Sequence, residues 1–121
     1  VQAVEGVRTV NVRFARGASS QSFDGAIKGH ESVHYYIRAR AGQFMTVRLE
    51  TDLPSNFFQV YQLGPKGPMK YKLLHDSNSD ENNYRGQLSV SGEYLINVLI
   101  FREDARQQRS AHYRLKIGVV D

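Results

Sequence analysis

Residues 88–109 read L-S-V-S-G-E-Y-L-I-N-V-L-I-F-R-E-D-A-R-Q-Q-R, and Tyr94–Phe101 within them is the most hydrophobic run of the chain. On an extended backbone Tyr94, Ile96, Val98 and Ile100 point one way, and Leu95, Leu99 and Phe101 the other. Only Asn97 is polar, so both faces should be covered or nearly so. A short run of β-branched and aromatic residues, bounded by a Ser91-Gly92 corner and a charged segment starting at Arg102, predicts a central strand in a two-layered β structure.

The flanking sequence fits that strand into a sheet protein. Val7–Phe14 alternates, with Val10, Val12 and Phe14 on one face. Ser22–Lys28 alternates through Phe23, Gly25 and Ile27. Val33–Arg40 is the cleanest alternation: Val33, Tyr35, Ile37 and Ala39 face in, and His34, Tyr36, Arg38 and Arg40 face out. Ala41-Gly42-Gln43 is a tight connection, so Phe44–Glu50, with Met45, Val47 and Leu49 inside, is expected as the hairpin partner of the preceding strand. Residues 51–56 form a loop, Phe57–Leu63 a strand, and Gly64-Pro65-Lys66-Gly67-Pro68 an enforced turn. Met69–Leu74 is a short strand or irregular, His75–Asn83 a solvated loop, and Tyr84–Val90 leads into the central strand. His112–Val120 closes the sheet with Tyr113, Leu115, Ile117 and Val119 on one face. About eight strands at short spacing, with no more than a helical turn within 102–109, predict an all-β fold. An antiparallel β-sandwich, one domain over residues 1–121, is the expected form.

Composition narrows the chemistry. A 40% hydrophobic fraction with seven Tyr and six Phe supplies one packed core, and the absence of cysteine excludes disulfides, thiolate metal sites and a Cys nucleophile. No apolar run is long enough for a membrane helix. The net charge of +4 is mild for a nucleic-acid binder; it serves solubility or steers the chain toward an anionic partner. Catalytic signatures are missing: there is no H-E-x-x-H and no G-x-S-x-G, and G-P-K-G-P lacks the strand–loop–helix setting of a phosphate loop. His30, His34, His75 and His112 sit singly. Asp76, Asp80 and Glu81 lack a calcium-loop pattern. Tyr36, Tyr61, Tyr71 and Tyr84 are scattered and read as cross-strand packing. No cofactor and no metal are expected.

Two polar stretches remain. Ser91-Gly92-Glu93-Tyr94 is first a strand corner, whose tyrosine hydroxyl can anchor on a neighbouring loop. Residues 102–109 are first a hydrated loop. Yet three arginines within eight residues beside a Ser-Gly corner would suit a cleft containing carboxylates, which the guanidinium fork pairs bidentately.

S-G-E-Y at 91–94 resembles the S-G-x-Y signature of the bacterial periplasmic lysozyme inhibitors. The likeness continues through V-N-V-R-F-A-R-G-A-S-S, F-D-G-A-I-K-G, Y-Y-I-R-A-R-A-G-Q, S-G-E-Y-L-I-N-V-L and R-E-D-A-R-Q-Q-R, in order. It spans about Val7 to Val119 and is weakest between Pro54 and Asn83. The resemblance implies an eight-stranded antiparallel sandwich that is not an enzyme but plugs one. Ser91 would meet the catalytic carboxylates of a lysozyme, with Gly92, Glu93 and Tyr94 completing the loop and Tyr94 orienting it or touching the enzyme. Arg102, Asp104, Arg106 and Arg109 would form a second contact loop. It further implies a periplasmic location after signal-peptide removal, with no nucleic-acid or membrane partner; a homodimer is left open. The expected target is invertebrate-type lysozyme, with the goose type as the alternative. Y-Y-I-R-A-R-A-G-Q-F-M-T-V-R-L-E followed by S-G-E-Y-L-I-N-V is also similar to pre-peptidase C-terminal domains, carbohydrate-associated sandwich modules in which Ser91 would have no special role.

Overall fold

The computed structural model describes residues 7–14, 19–63, 71–76 and 82–121. These form β1 (Val7–Asn11), β2 (Ser20–Lys28), β3 (Ser32–Ala39), β4 (Phe44–Thr51), β5 (Asn56–Leu63), β6 (Tyr71–Asp76), β7 (Asn83–Gln87), β8 (Gly92–Ile100), the short helix α1 (Arg102–Arg106) and β9 (Ser110–Val120). Two sheets, ordered β1-β3-β8-β5-β6 and β2-β9-β4-β7, pack face to face. The expected β-sandwich is the observed one, with nine strands among the described residues. The ninth is β6, where the sequence left strand and irregular segment open.

The sandwich has two beams. In the first sheet β8 pairs antiparallel with β3 and β5; in the second, β9 pairs antiparallel with β2 and β4. Every second side chain of each beam enters the core, as strand geometry requires. Tyr94, Ile96, Val98 and Ile100 are all at most 4% exposed, and Ala111, Leu115 and Ile117 are fully buried. The opposite face of β8, expected to be covered or nearly so, is partly buried at Leu95, Asn97 and Leu99. Across the core the Tyr35 and Tyr113 hydroxyls meet at 2.7 Å, joining the layers with a satisfied polar pair. Gly25 makes room for the Tyr113 ring; a Cβ there would lie 2.5 Å from it.

Three expectations need correction. β3 and β4 are not a hairpin: β3 lies between β1 and β8, and β4 lies in the other sheet between β9 and β7. The turn at Ala41-Gly42, with Gly42 at φ 92°, hands the chain from one layer to the other. Gly42 N–H donates to Leu88 O and Leu88 N–H to Gln43 O, both at 2.8 Å, which ties that crossing to the approach of β8. A tight turn permits either outcome; long-range pairing selects. β1 ends at Asn11 and runs parallel to β3, the one parallel pairing among the described strands. The loop expected over His75–Asn83 is shorter, since His75 and Asp76 end β6 and Asn83 opens β7; residues 77–81, with Asp80 and Glu81, and the 64–68 turn lie outside the described residues. The helical turn that the sequence allowed within 102–109 forms as α1.

Candidate functional site

The two polar stretches flank β8, one at each end. At the first, Gly92 adopts φ 151°, a region side chains disfavour, and opens the strand. Tyr94 is 1% exposed. Its hydroxyl donates to Val90 O at 2.5 Å, closing the corner that it follows, and burial raises the phenol's pKa. Ser91 Oγ is exposed but accepts the Ala41 N–H at 2.9 Å. Glu93 stands opposite Arg38 and Leu63 on the neighbouring strands. This end bears two open depressions. A 470 Å³ hollow is lined by Arg38, Arg40, Gln43, Ser91 and Gly92. A second, of 360 Å³, is lined by Arg13, Phe14, Tyr36, Arg38 and Glu93. Arg40 reaches Asp121 at 3.4 Å with both side chains largely exposed.

At the second end Phe101 leaves the strand with its ring 6.4 Å from that of Phe57 and is 46% exposed. Ala105, 1% exposed, seats α1 on the core. Glu103 and Asp104 occupy the first turn and Arg106 the last, signs that suit the ends of a helix. Ser55 Oγ donates to the Asp104 carboxylate at 2.5 Å, and Arg109 Nε lies 3.7 Å from it. Arg109 O accepts the Gly29 N–H at 2.9 Å, tying the segment to the β2–β3 turn. Asp104 and Arg109 therefore hold the turn in place. Arg102 and Arg106 are exposed and one helical turn apart on the same side. Arg106 pairs with Glu103 at 2.9 Å, but both side chains are more than half exposed, so that pair is weak and readily exchanged. Arg102 forms no ion pair among the described residues.

The eight residue steps of β8 separate these ends by about 26 Å at ordinary strand rise. Ser91, Gly92, Glu93 and Tyr94 thus form one group and Arg102, Asp104, Arg106 and Arg109 another; the structure does not bring them together. The cations that share a hollow with Ser91 are Arg38 and Arg40, and Arg13 lines the adjoining one with Arg38 and Glu93. Sequence reasoning placed Arg38 and Arg40 on the outer face of a strand, and nothing local signalled that this strand runs alongside the corner.

Among the described residues no cluster of three or more His, Asp or Glu is placed to hold a metal ion. No family model matches the chain. The crystal structure of Aeromonas hydrophila PliG, a periplasmic inhibitor of g-type lysozyme, superposes with a TM-score of 0.80 at 32% identity, covering 93% of this chain and 96% of that one. The chain belongs to the periplasmic lysozyme inhibitor family. A second member, Salmonella Typhimurium PliG, matches at 30% identity and a TM-score of 0.67 over 93% of this chain and 97% of its own. The Escherichia coli K12 inhibitor of g-type lysozyme is 29% identical over 112 residues, 93% of this chain and 81% of that protein. These relatives are inhibitors, not enzymes. All three act on g-type lysozyme, so the lean toward the invertebrate type is not borne out and the goose-type alternative is the better reading. The pre-peptidase C-terminal domain of a Bacillus anthracis collagenase shares the fold at a TM-score of 0.58 and 10% identity. That similarity extends to architecture alone.

Proposed function

We propose that this protein inhibits g-type lysozyme in the periplasm by lodging the α1 turn, led by Arg102 and Arg106, in the enzyme's substrate groove. The observation that carries the reading is the contrast between the two ends of β8. An element that fills a groove must protrude and must offer groups that are free or held only by weak, exposed pairs. At α1, Ser55 and Asp104 hold the turn with Arg109 drawn toward Asp104, while Arg102 is unpaired among the described residues and Arg106 is held only by its exposed pair with Glu103. At the Ser91 corner the surface dips into an open depression, Tyr94 is buried and the serine oxygen already accepts the Ala41 N–H. Glycoside hydrolases work with carboxyl groups in an open groove. Guanidinium groups pair with such carboxylates by short charge-assisted bonds. Filling the groove suffices; the inhibitor performs no chemistry.

A second reading places the Ser91 corner in the groove. Its support is that Ser91 Oγ, though accepting from Ala41, keeps its own proton to donate, with Arg38 and Arg40 alongside. Inhibition assays against g-type, invertebrate-type and chicken-type lysozymes in parallel test both readings. The expected result is inhibition of the g-type enzyme alone. Arg102→Ala and Arg106→Ala should each weaken it about tenfold or more, as expected for losing a hydrogen bond to a charged group, and Ser91→Ala should change it little. Loss of inhibition in Ser91→Ala with both arginine variants at parental strength would move the working end to the corner.

A further inference from the structure

The outer face of the four-stranded sheet carries a charge arrangement that neither the fold nor lysozyme inhibition accounts for. Arg48 on β4 and Lys116 on β9 are direct cross-strand partners. Like charges placed directly opposite one another on a sheet are destabilising. Arg85 on β7 stands opposite Thr46, one outward position along from Arg48, so three cations occupy adjoining sites on three neighbouring strands. Lys116 and Arg85 form no ion pair among the described residues, and Arg48 only approaches Glu50 at 3.8 Å with both side chains more than 60% exposed. The same face shows what pairing looks like where it is made: Arg114 grips Asp24 with bonds of 2.8 and 3.3 Å.

The surroundings define the partner. Ser22 flanks Lys116, Asn83 flanks Arg48, and Ser20 and Thr46 flank Gly118, all by register. The floor is flat at Gly118, where a Cβ would press to 2.7 Å from the Thr46 hydroxyl. The large hydrophobic side chains exposed among the described residues are Leu73, Phe101 and Val120, and of these only Val120 touches this face, at its rim. A protein interface would need an apolar centre. A single-stranded nucleic acid would need aromatic stacking platforms. What remains is a hydroxyl- and amide-bearing surface with cations at adjoining positions, of which only Arg48 nears a carboxylate, and this fits a chain of sugars bearing acidic groups.

We propose that the outer face of the β2-β9-β4-β7 sheet binds an anionic polysaccharide through Arg48, Arg85 and Lys116. The cations replace the counterions of the acidic groups, so affinity falls as salt rises. The hydroxyl and amide groups of Ser20, Ser22, Thr46 and Asn83 meet the sugar hydroxyls. This site is separate from α1 and does not depend on the inhibitor reading.

The test uses the full chain with dextran sulfate as probe and neutral dextran of the same length as control, titrated calorimetrically at low and physiological salt. Dextran sulfate should bind, weakening with salt, and neutral dextran should not. Lys116→Glu should weaken binding at least tenfold, leave g-type lysozyme inhibition unchanged, and hold or raise the melting temperature, because it turns a repulsive pair into an attractive one. Arg48→Ser/Arg85→Ser should lose binding likewise. The double variant Arg102→Ala/Arg106→Ala removes the same net charge as Lys116→Glu and should bind dextran sulfate as the parent does. If it weakens binding as much as Lys116→Glu, attraction follows net charge and the site does not exist. Stronger binding to phosphatidylglycerol vesicles or to single-stranded DNA than to dextran sulfate, lost in the same variants, would also overturn the proposed occupant.

Discussion

Tyr94→Phe tests the division of labour between the two ends of β8. The phenol oxygen is buried and its O–H satisfies Val90 O across the corner at 2.5 Å. The substitution keeps the ring, so no cavity opens. It removes one hydrogen bond and leaves a half-buried carbonyl without that donor. A typical intramolecular bond contributes about 0.5–1.5 kcal/mol, and an orphaned acceptor costs about 1–3 kcal/mol. A loss of about 1–2 kcal/mol is therefore expected. For a domain of this size that lowers the melting temperature by roughly 3–10 °C, readable by calorimetry or near-ultraviolet circular dichroism. Ordinary domains hold about 5–15 kcal/mol of stability, so the variant stays folded at 25 °C. Because Tyr94 lies about a strand's length from α1, inhibition of g-type lysozyme by the folded variant should match the parent. A variant with an unchanged melting temperature but at least tenfold weaker inhibition would refute this reasoning and make the phenol a contact group.

Three further outcomes follow from the packing. Ile96→Ala, in a fully buried position on β8, should destabilise by about 2–5 kcal/mol in urea denaturation through lost burial and a residual cavity. Gly25→Ala should cost about 1–3 kcal/mol, because the new methyl meets a Tyr113 ring that its bond to Tyr35 holds in place; an unchanged midpoint would mean the ring moves freely. Burial raises the pKa of Tyr35, Tyr84, Tyr94 and Tyr113. The fold thus favours the neutral phenols. Their contribution is whole below the unfolded value of about 10 and is lost as pH climbs through the raised folded values. The melting temperature should fall above about pH 10, and these tyrosines should ionise late in an ultraviolet titration of the native protein; seven tyrosines titrating together near 10 would contradict it.

The sequence by itself determined which side chains enter the core. Tyr94, Ile96, Val98 and Ile100 on β8, Val33, Tyr35, Ile37 and Ala39 on β3, Met45, Val47 and Leu49 on β4, and Tyr113, Leu115, Ile117 and Val119 on β9 are all buried as their alternation requires. That was legible because the two-residue period is a property of the extended backbone and needs no partner to be known. The sequence also marked both polar stretches at the ends of β8. Only the tertiary structure decided how the strands pair, since any two extended backbones offer the same donors and acceptors. Ile37 found Tyr94 and Met45 found Val119 through long-range fit, so β3 and β4 parted into different layers. It likewise decided that Ser91 Oγ accepts the Ala41 N–H and that Asp104 accepts from Ser55 Oγ, partners 50 and 49 residues distant. Above all, the extension of β8 set two motifs that are neighbours in sequence at opposite ends of one strand, because each strand residue adds about 3.3 Å of separation and pairing with β3 and β5 keeps the backbone extended.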